Sequence, residues 1–385
     1  MAFARSAFAL TRERRSGSQR GVLVAAALVG SWRAKPPPPT LTAAELEEIS
    51  PLLLTAGCGA LAWWRIRGSP VAESSIGKRL RDAYRLHTLQ AAVHELELPQ
   101  VVKALEAAGI EALTIKGWTA ARLYAANGLR PYGDLDLCVA PSQHRAARAV
   151  VADSVPAVDV DLHQGLGINQ RVVAELASFE EALARAPRLP LDGVEVSVLA
   201  PEDQLALLCV HFLRHGAWRP LWLCDIAAAL ERLPDGFDWD RCLGGSRRLE
   251  TWVSSTVRLA EQLLGASPSQ PLPLQDRVPR WLRQAVLRQW SSPRVYYPGD
   301  LIGLPAMTYF RPSIAARMMR EHWVDPITAT MFPGASFNSL PRLPFRLRFV
   351  AWKAARFARR YWRDIRSQVP TSRAPGRTSS PYRRG

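Results

Sequence analysis

The stretch Asp134-Leu135-Asp136-Leu137-Cys138-Val139 constrains this chain more than any other. Its alternation of acidic and apolar residues fits a β-strand, in which successive side chains point to opposite faces. Asp134 and Asp136 then share one face, while Leu135 and Leu137 pack on the other. Two neighbouring acids on a strand buried on one side are costly without counter-ions. The chain must bring cations to that face, and Lys116 and Arg130 stand just upstream. Lys116 also closes an apolar run and is followed directly by Gly117.

The surrounding pattern predicts an α+β core. Residues 110–115 read as a strand and 118–126 as a helix stopped by Asn127-Gly128. The acid strand 134–139 follows, then a helix capped by Ser142 and reaching about Asp153. Further strands are predicted at 157–162 and 194–199. Upstream, Thr42-Ala43-Ala44-Glu45 reads as a capping box opening a helix through Leu54. A long helix over 78–98 is predicted to stop at Pro99. A shorter one follows, with Val101, Val102 and Leu105 on one face and Gly109 as its cap. Downstream, helices are predicted over 201–215, with Gly216 as stop, and over 222–233 and 247–264. The expected organisation is a disordered basic segment (1–20), an N-terminal helical segment (21–99), a mixed-sheet core (100–200), a C-terminal helical domain (201–330) and a basic aromatic tail, partly disordered (331–385).

Charge narrows the function classes. The chain carries a net +16, but residues 1–40 hold +6 and residues 342–385 hold +12. The body between is nearly neutral, so a body-wide nucleic-acid groove is not supported. The five cysteines are widely spaced with no C-x-x-C pair, which predicts no zinc or redox motif and fits a reduced, cytoplasmic setting. The apolar run 21–30 is short and followed by Trp32-Arg33-Ala34-Lys35, so it reads as a packed helix rather than an export signal. No segment approaches the ~20 apolar residues that span a bilayer.

The residues point to metal and phosphate chemistry. Transfer of a nucleotidyl group uses two metal ions, one at the attacking hydroxyl and one at the triphosphate. Magnesium, or manganese, takes oxygen ligands that Asp134 and Asp136 supply. A third carboxylate would come from Val158-Asp159-Val160-Asp161-Leu162-His163, where Asp159, Asp161 and His163 share a face and either acid is a candidate. Gly117 opens a helix where a phosphate can approach backbone N–H groups, and Lys116 and Arg130 would neutralise phosphate charge. His163 reads equally as a phosphate contact and as a structural residue. His211 and His215 lack a third zinc ligand and read as helix packing. Asp225 reads as one half of a structural ion pair, with Arg219 or Arg214 as partner. The 342–366 segment mixes aromatic residues with Arg at helical spacing. It suits an anionic membrane surface, an acidic partner, or plain solvation as a terminal helix.

These residues resemble a known family. Ile115-Lys116-Gly117, Arg130 through Leu137 and Val160-Asp161-Leu162-His163 are similar to the bacterial nucleotidyltransferase family group within the DNA-polymerase-beta-like nucleotidyltransferases. The likeness extends through His211, His215 and Leu221–Ala227 and spans roughly residues 21–265. It implies a polymerase-beta-like core flanked by helical segments, with Asp134, Asp136 and Asp161 as catalytic metal ligands; Asp161 is favoured over Asp159. It also implies transfer of an NMP from an NTP to an acceptor hydroxyl on a small molecule, protein or RNA end. Lys116, Gly117, Arg130 and His163 would serve the nucleotide. One departure is that Lys116-Gly117-Trp118 stands where the wider superfamily has Gly-Ser. The rival expectations are a non-catalytic binding module of the same fold and an interaction protein working through its basic tail.

Overall fold

The computed structural model describes residues 18–154, 157–166, 176–244, 246–273, 278–292 and 324–368. The chain opens with α1 (Gln19–Leu28), α2 (Ala43–Thr55), α3 (Gly59–Ile66) and the long α4 (Ser75–Ala107). A sheet layer follows: β1 (Ala112–Thr114), α5 (Gly117–Ala121), β2 (Asp134–Val139), α6 (His144–Ser154), β3 (Asp159–Gln164), α7 (Phe179–Ala184), β4 (Arg188–Leu191) and β5 (Val194–Ser197). Then come α8 (Pro201–Arg214), α9 (Pro220–Leu230), α10 (Trp239–Leu243), α11 (Arg247–Leu264), α12 (Arg280–Trp290), α13 (Pro326–Met331) and α14 (Leu343–Gln368). Most of the disorder expected for 1–20, and the end of the tail beyond 368, lies outside the described residues.

Helices from the two ends of the sequence share one core. Leu28, Leu53 and Leu61 from the first three helices pack in one cluster with Phe212, Leu223 and Trp252 from the later ones. The capping box at Thr42 forms as expected, the Thr42 hydroxyl accepting from the Glu45 N–H at 3.2 Å. The predicted packed helix at 21–30 is α1, and it crosses α12 so closely that only glycine fits at position 21. A Cβ there would sit 2.0 Å from the Leu287 carbonyl oxygen. Gly21→Ala is therefore expected to destabilise the protein by about 1–3 kcal/mol, the usual cost of overpacking. Urea denaturation checks this, and an unchanged midpoint would contradict so tight a crossing.

The predicted stop at Pro99 is overturned: α4 runs through it to Ala107. Proline inside a helix costs roughly 3 kcal/mol. Leu98, Val101, Val102 and Leu105 are all buried against the sheet, and that packing outweighs the local cost. The same cluster holds Leu135, Leu137 and Val139 from the apolar face of β2. The helix predicted over 118–126 ends early, at Ala121, because the following residues turn toward α9, where the Tyr124 hydroxyl donates to Asp225 at 2.7 Å.

The sheet is mixed, as expected. β1 pairs antiparallel with β2, and β2 pairs parallel with β3. The third strand lies two residues later than the sequence indicates, in a register that sets Asp134 against Asp159, Asp136 against Asp161 and Cys138 against His163. An unforeseen hairpin joins β4 to β5 through Asp192-Gly193, both at positive φ, and a parallel bridge from Thr114 to Val198 ties it to β1.

Candidate active site

The parallel register of β2 and β3 builds the site, because it lines up two rows of polar side chains on one sheet face. Asp136 and Asp161 stand opposite each other, and His163 lies one step further along β3. His163 Nε2 is 3.0 Å from Asp136 Oδ1 and 3.1 Å from Asp161 Oδ2. Lys116 joins from the loop after β1, its Nζ 2.7 Å from Asp136 Oδ1 and 3.1 Å from His163 Nε2. Asp136 and Lys116 are buried, whereas more than half of the Asp161 side chain is exposed. The cluster thus has a closed floor and an open rim.

Local backbone serves this geometry. Lys116 sits at φ 51° and ψ −110°, a region that non-glycine residues rarely adopt. Such a conformation costs about 1–3 kcal/mol and is found where function holds a side chain in place. Here it turns the ammonium onto Asp136. Gly117 directs its N–H at Asp136 Oδ2, 3.4 Å away. A Cβ at Gly117 would lie 3.3 Å from the Tyr132 Cβ and 3.4 Å from Asp136 Oδ2. The helix it opens has only five residues, and its first N–H donates to this carboxylate.

The two strand acids differ electrically. Burial works to raise the Asp136 pKa, but the His163 hydrogen bond and the Lys116 charge overcome it and hold the group well below the usual carboxylate range. Asp134 is shifted upward, first by burial and then by the neighbouring Asp136 and Asp161 charges. A second cation beside the carboxylates would relieve that repulsion.

Asp136, Asp161 and His163 each offer one ligand atom, all within 4.8 Å of one another. Two carboxylate oxygens and an imidazole nitrogen suit a divalent cation, with manganese more tolerant of the nitrogen than magnesium. The donor set therefore fits the expected metal. Asp134 shares the strand face but stands outside this group, level with Asp159. The His163 tautomer decides the competition at Nε2. Protonated there, it donates to the acids; unprotonated, its single lone pair either accepts from Lys116 or ligates a cation.

Arg130 is placed beneath this cluster. Its guanidinium grips Asp225 with Nε at 3.2 and 3.3 Å and Nη2 at 2.9 Å, and both side chains are buried. Asp225 is an ion-pair residue, as expected, but its partner is Arg130 rather than Arg219 or Arg214. Long-range pairing of this kind leaves no local signal. Desolvation opposes the Arg130 charge, yet Asp225 more than compensates and shifts its pKa upward.

His211 and His215 pack with Trp222, at ring-centroid distances of 4.5 and 5.2 Å, one helical turn before Asp225. Burial first, then Arg214 and Lys116, lowers the His215 pKa from 6.5 to about 4. His87 is lowered to about 4 by burial and Arg219, and His211 falls well below its ordinary value, chiefly through burial. Folded pKa values below the unfolded one mean that the unfolded chain binds protons first as pH falls. Stability is then full above about pH 6.5 and is lost progressively toward pH 4. The melting temperature is expected to fall across that window, less steeply in His215→Phe. Equal slopes in the two proteins would contradict the assignment.

A family model described as uncharacterised nucleotidyltransferase matches residues 42–154 and 154–265, more than half of the chain. The crystal structure of an antigenic nucleotidyltransferase-like protein from Paracoccidioides brasiliensis is similar at 16% identity and a TM-score of 0.33, over 46% of this chain and 94% of that one. No curated protein matches the sequence.

Proposed function

The chain belongs to the family of uncharacterised nucleotidyltransferases, and on that premise we propose that it transfers a nucleoside monophosphate from an NTP to an acceptor hydroxyl. The observation that carries this reading is the meeting of Asp136, Asp161 and His163 beside the Lys116 ammonium.

In the proposed reaction the acceptor oxygen bonds to the α-phosphorus, the bond from that phosphorus to the bridging oxygen breaks, and pyrophosphate leaves. Magnesium or manganese, when bound, neutralises phosphate charge and makes the attacking hydroxyl more acidic. Asp136, with Asp134 and Asp161, would hold the metal. Asp161, the exposed member, takes the proton from the acceptor. His163 steadies Asp136 and Asp161 between them. Lys116, held on Asp136, places its ammonium for the triphosphate oxygens. Gly117 leaves room for that approach. Arg130 acts from beneath as a fixed positive charge, Nε and Nη2 being committed to Asp225 and Nη1 to the Pro131 carbonyl. A cytoplasmic setting goes with this reading, since all five cysteines are free and buried.

A rival reading rests on one specific observation. Lys116 already neutralises Asp136 at the oxygen that His163 also contacts, so the most buried acid of the cluster has its counter-charge without metal. A nucleotide-binding protein without turnover would have the same arrangement. Manganese titration followed by electron paramagnetic resonance separates the cases. Binding that tightens with NTP and disappears in Asp136→Asn supports the metal site. No manganese binding, with or without NTP, contradicts it. Metal-dependent NTP binding with no pyrophosphate release selects the rival.

A further inference from the structure

The helix α14 has two apolar faces, and among the described residues the protein body packs on only one. Phe345 and Phe349 on α14 pack against Val324, Ala329 and Phe332, with the Phe332 and Phe349 rings 5.1 Å apart. Trp352 extends the same contact, 4.1 Å from the Phe332 ring centroid. On the opposite face Leu343, Leu347 and Val350 are 55, 52 and 39% exposed, followed by an exposed Ala354. Spacings of four, three and four residues place these on a single stripe.

Charge identifies what the stripe meets. At 100° per residue, Arg346 and Lys353 border it on one side, both half-buried, with Arg346 Nε donating to the Val324 carbonyl and Lys353 lying over the Phe349 ring, while Arg348 stands exposed beyond its other edge. Arg348, Arg356 and Arg359 are exposed. Residues 342–385 contain thirteen Lys or Arg and a single acid, Asp364. A basic helix without the apolar stripe would suit a nucleic acid, and an apolar stripe without the charge would suit another protein. Together they fit a surface that is anionic outside and apolar beneath. The contrast with α4 is instructive: Leu86, Leu89 and Leu96 are also exposed there, but among Asp82, Arg85 and Glu95, a mixture of signs that selects no such surface. Among the described residues no helix is long and apolar enough to cross a membrane, so the contact is peripheral.

We propose that α14 docks this protein on an anionic lipid surface, its Leu343–Leu347–Val350 stripe entering the headgroup boundary while the excess positive charge of residues 342–385 is drawn to lipid phosphates and carboxylates. The docking is independent of the chemistry at Asp136.

Flotation of the full chain with vesicles tests it. Binding is expected to phosphatidylcholine vesicles containing phosphatidylserine, falling with salt, and not to phosphatidylcholine alone. Leu343→Gln/Leu347→Gln/Val350→Gln keeps every charge and alters only exposed side chains, so its unfolding midpoint should match the wild type. Its bound fraction should drop about tenfold or more. Arg348→Gln/Arg359→Gln, which alters only exposed charges, should bind more weakly and with less salt dependence. Equal flotation with both vesicle types, no flotation at all, or an unaffected triple variant overturns the proposal. RNA binding that survives the triple substitution while vesicles are ignored also overturns it. So does a wild-type dimer that the triple variant turns into a monomer, because a second copy would then cover the stripe.

Discussion

Asp136→Asn is expected to lower metal-dependent nucleotidyl transfer by about 10³-fold, the order lost when a preorganised electrostatic contact to a transition state is removed. Asp136 is the hub of the site, touched by Lys116 at 2.7 Å, His163 at 3.0 Å and the Gly117 N–H at 3.4 Å. An asparagine keeps the shape but lacks the charge that draws a cation. The strand register makes a second, finer statement: Asp161 faces Asp136, while Asp159 faces Asp134 at the margin. Asp161→Asn should therefore fall nearly as far as Asp136→Asn, and Asp159→Asn should stay within a few-fold of wild type. Initial rates of label transfer from an α-labelled NTP check this. The reverse order at Asp159 and Asp161 would mean that the functional register differs from the one described.

Asp225→Ala is expected to cost about 3–5 kcal/mol of stability, because it leaves the Arg130 guanidinium buried without its counter-charge. Neither side chain reaches solvent to any useful extent, at 6% exposure for Arg130 and 0% for Asp225. Tyr124 would lose its acceptor in the same step. Restoring neutrality by Arg130→Met in the Asp225→Ala background should recover much of the loss, since replacing both members of a buried pair is often nearly neutral. Denaturant unfolding of the two single variants and the double variant completes the cycle. A double variant no better than Asp225→Ala would show that the pair matters through something other than its unpaired charge. The double variant is also expected to bind NTP more weakly, because the buried positive charge beneath the acids is gone.

The acid strand was readable because period-two alternation is local: β2 begins and ends where the residues indicate, at Asp134 and Val139. The boundaries of α11 were equally plain, with Ser246 capping one end and Gly265 at the other. What escaped the sequence depends on distant partners. Pro99 looks like a stop until the sheet beneath Leu98 and Val101 is known. Arg130 reads from its neighbours as a cation for phosphate, and its bond to Asp225 spans 95 positions. The β4–β5 hairpin was missed because Pro190 weakens the strand signal, although Asp192-Gly193 was a turn cue to be had. At the site, Lys116, Asp136, Asp161 and His163 were all named from sequence. The contact between His163 and Asp136 was not, because it needs the parallel register.

Whether this acid cluster moves a nucleotidyl group is decided by offering each of four α-labelled NTPs, with magnesium or manganese, to the wild-type protein in a lysate of acceptors. Asp134→Ala/Asp136→Ala is run alongside, and both label transfer and pyrophosphate are followed. The account predicts transfer with stoichiometric pyrophosphate from the wild type and neither from the double variant, the labelled product identifying the acceptor. Folded wild-type protein that binds NTP yet releases no pyrophosphate under any of these conditions would contradict it.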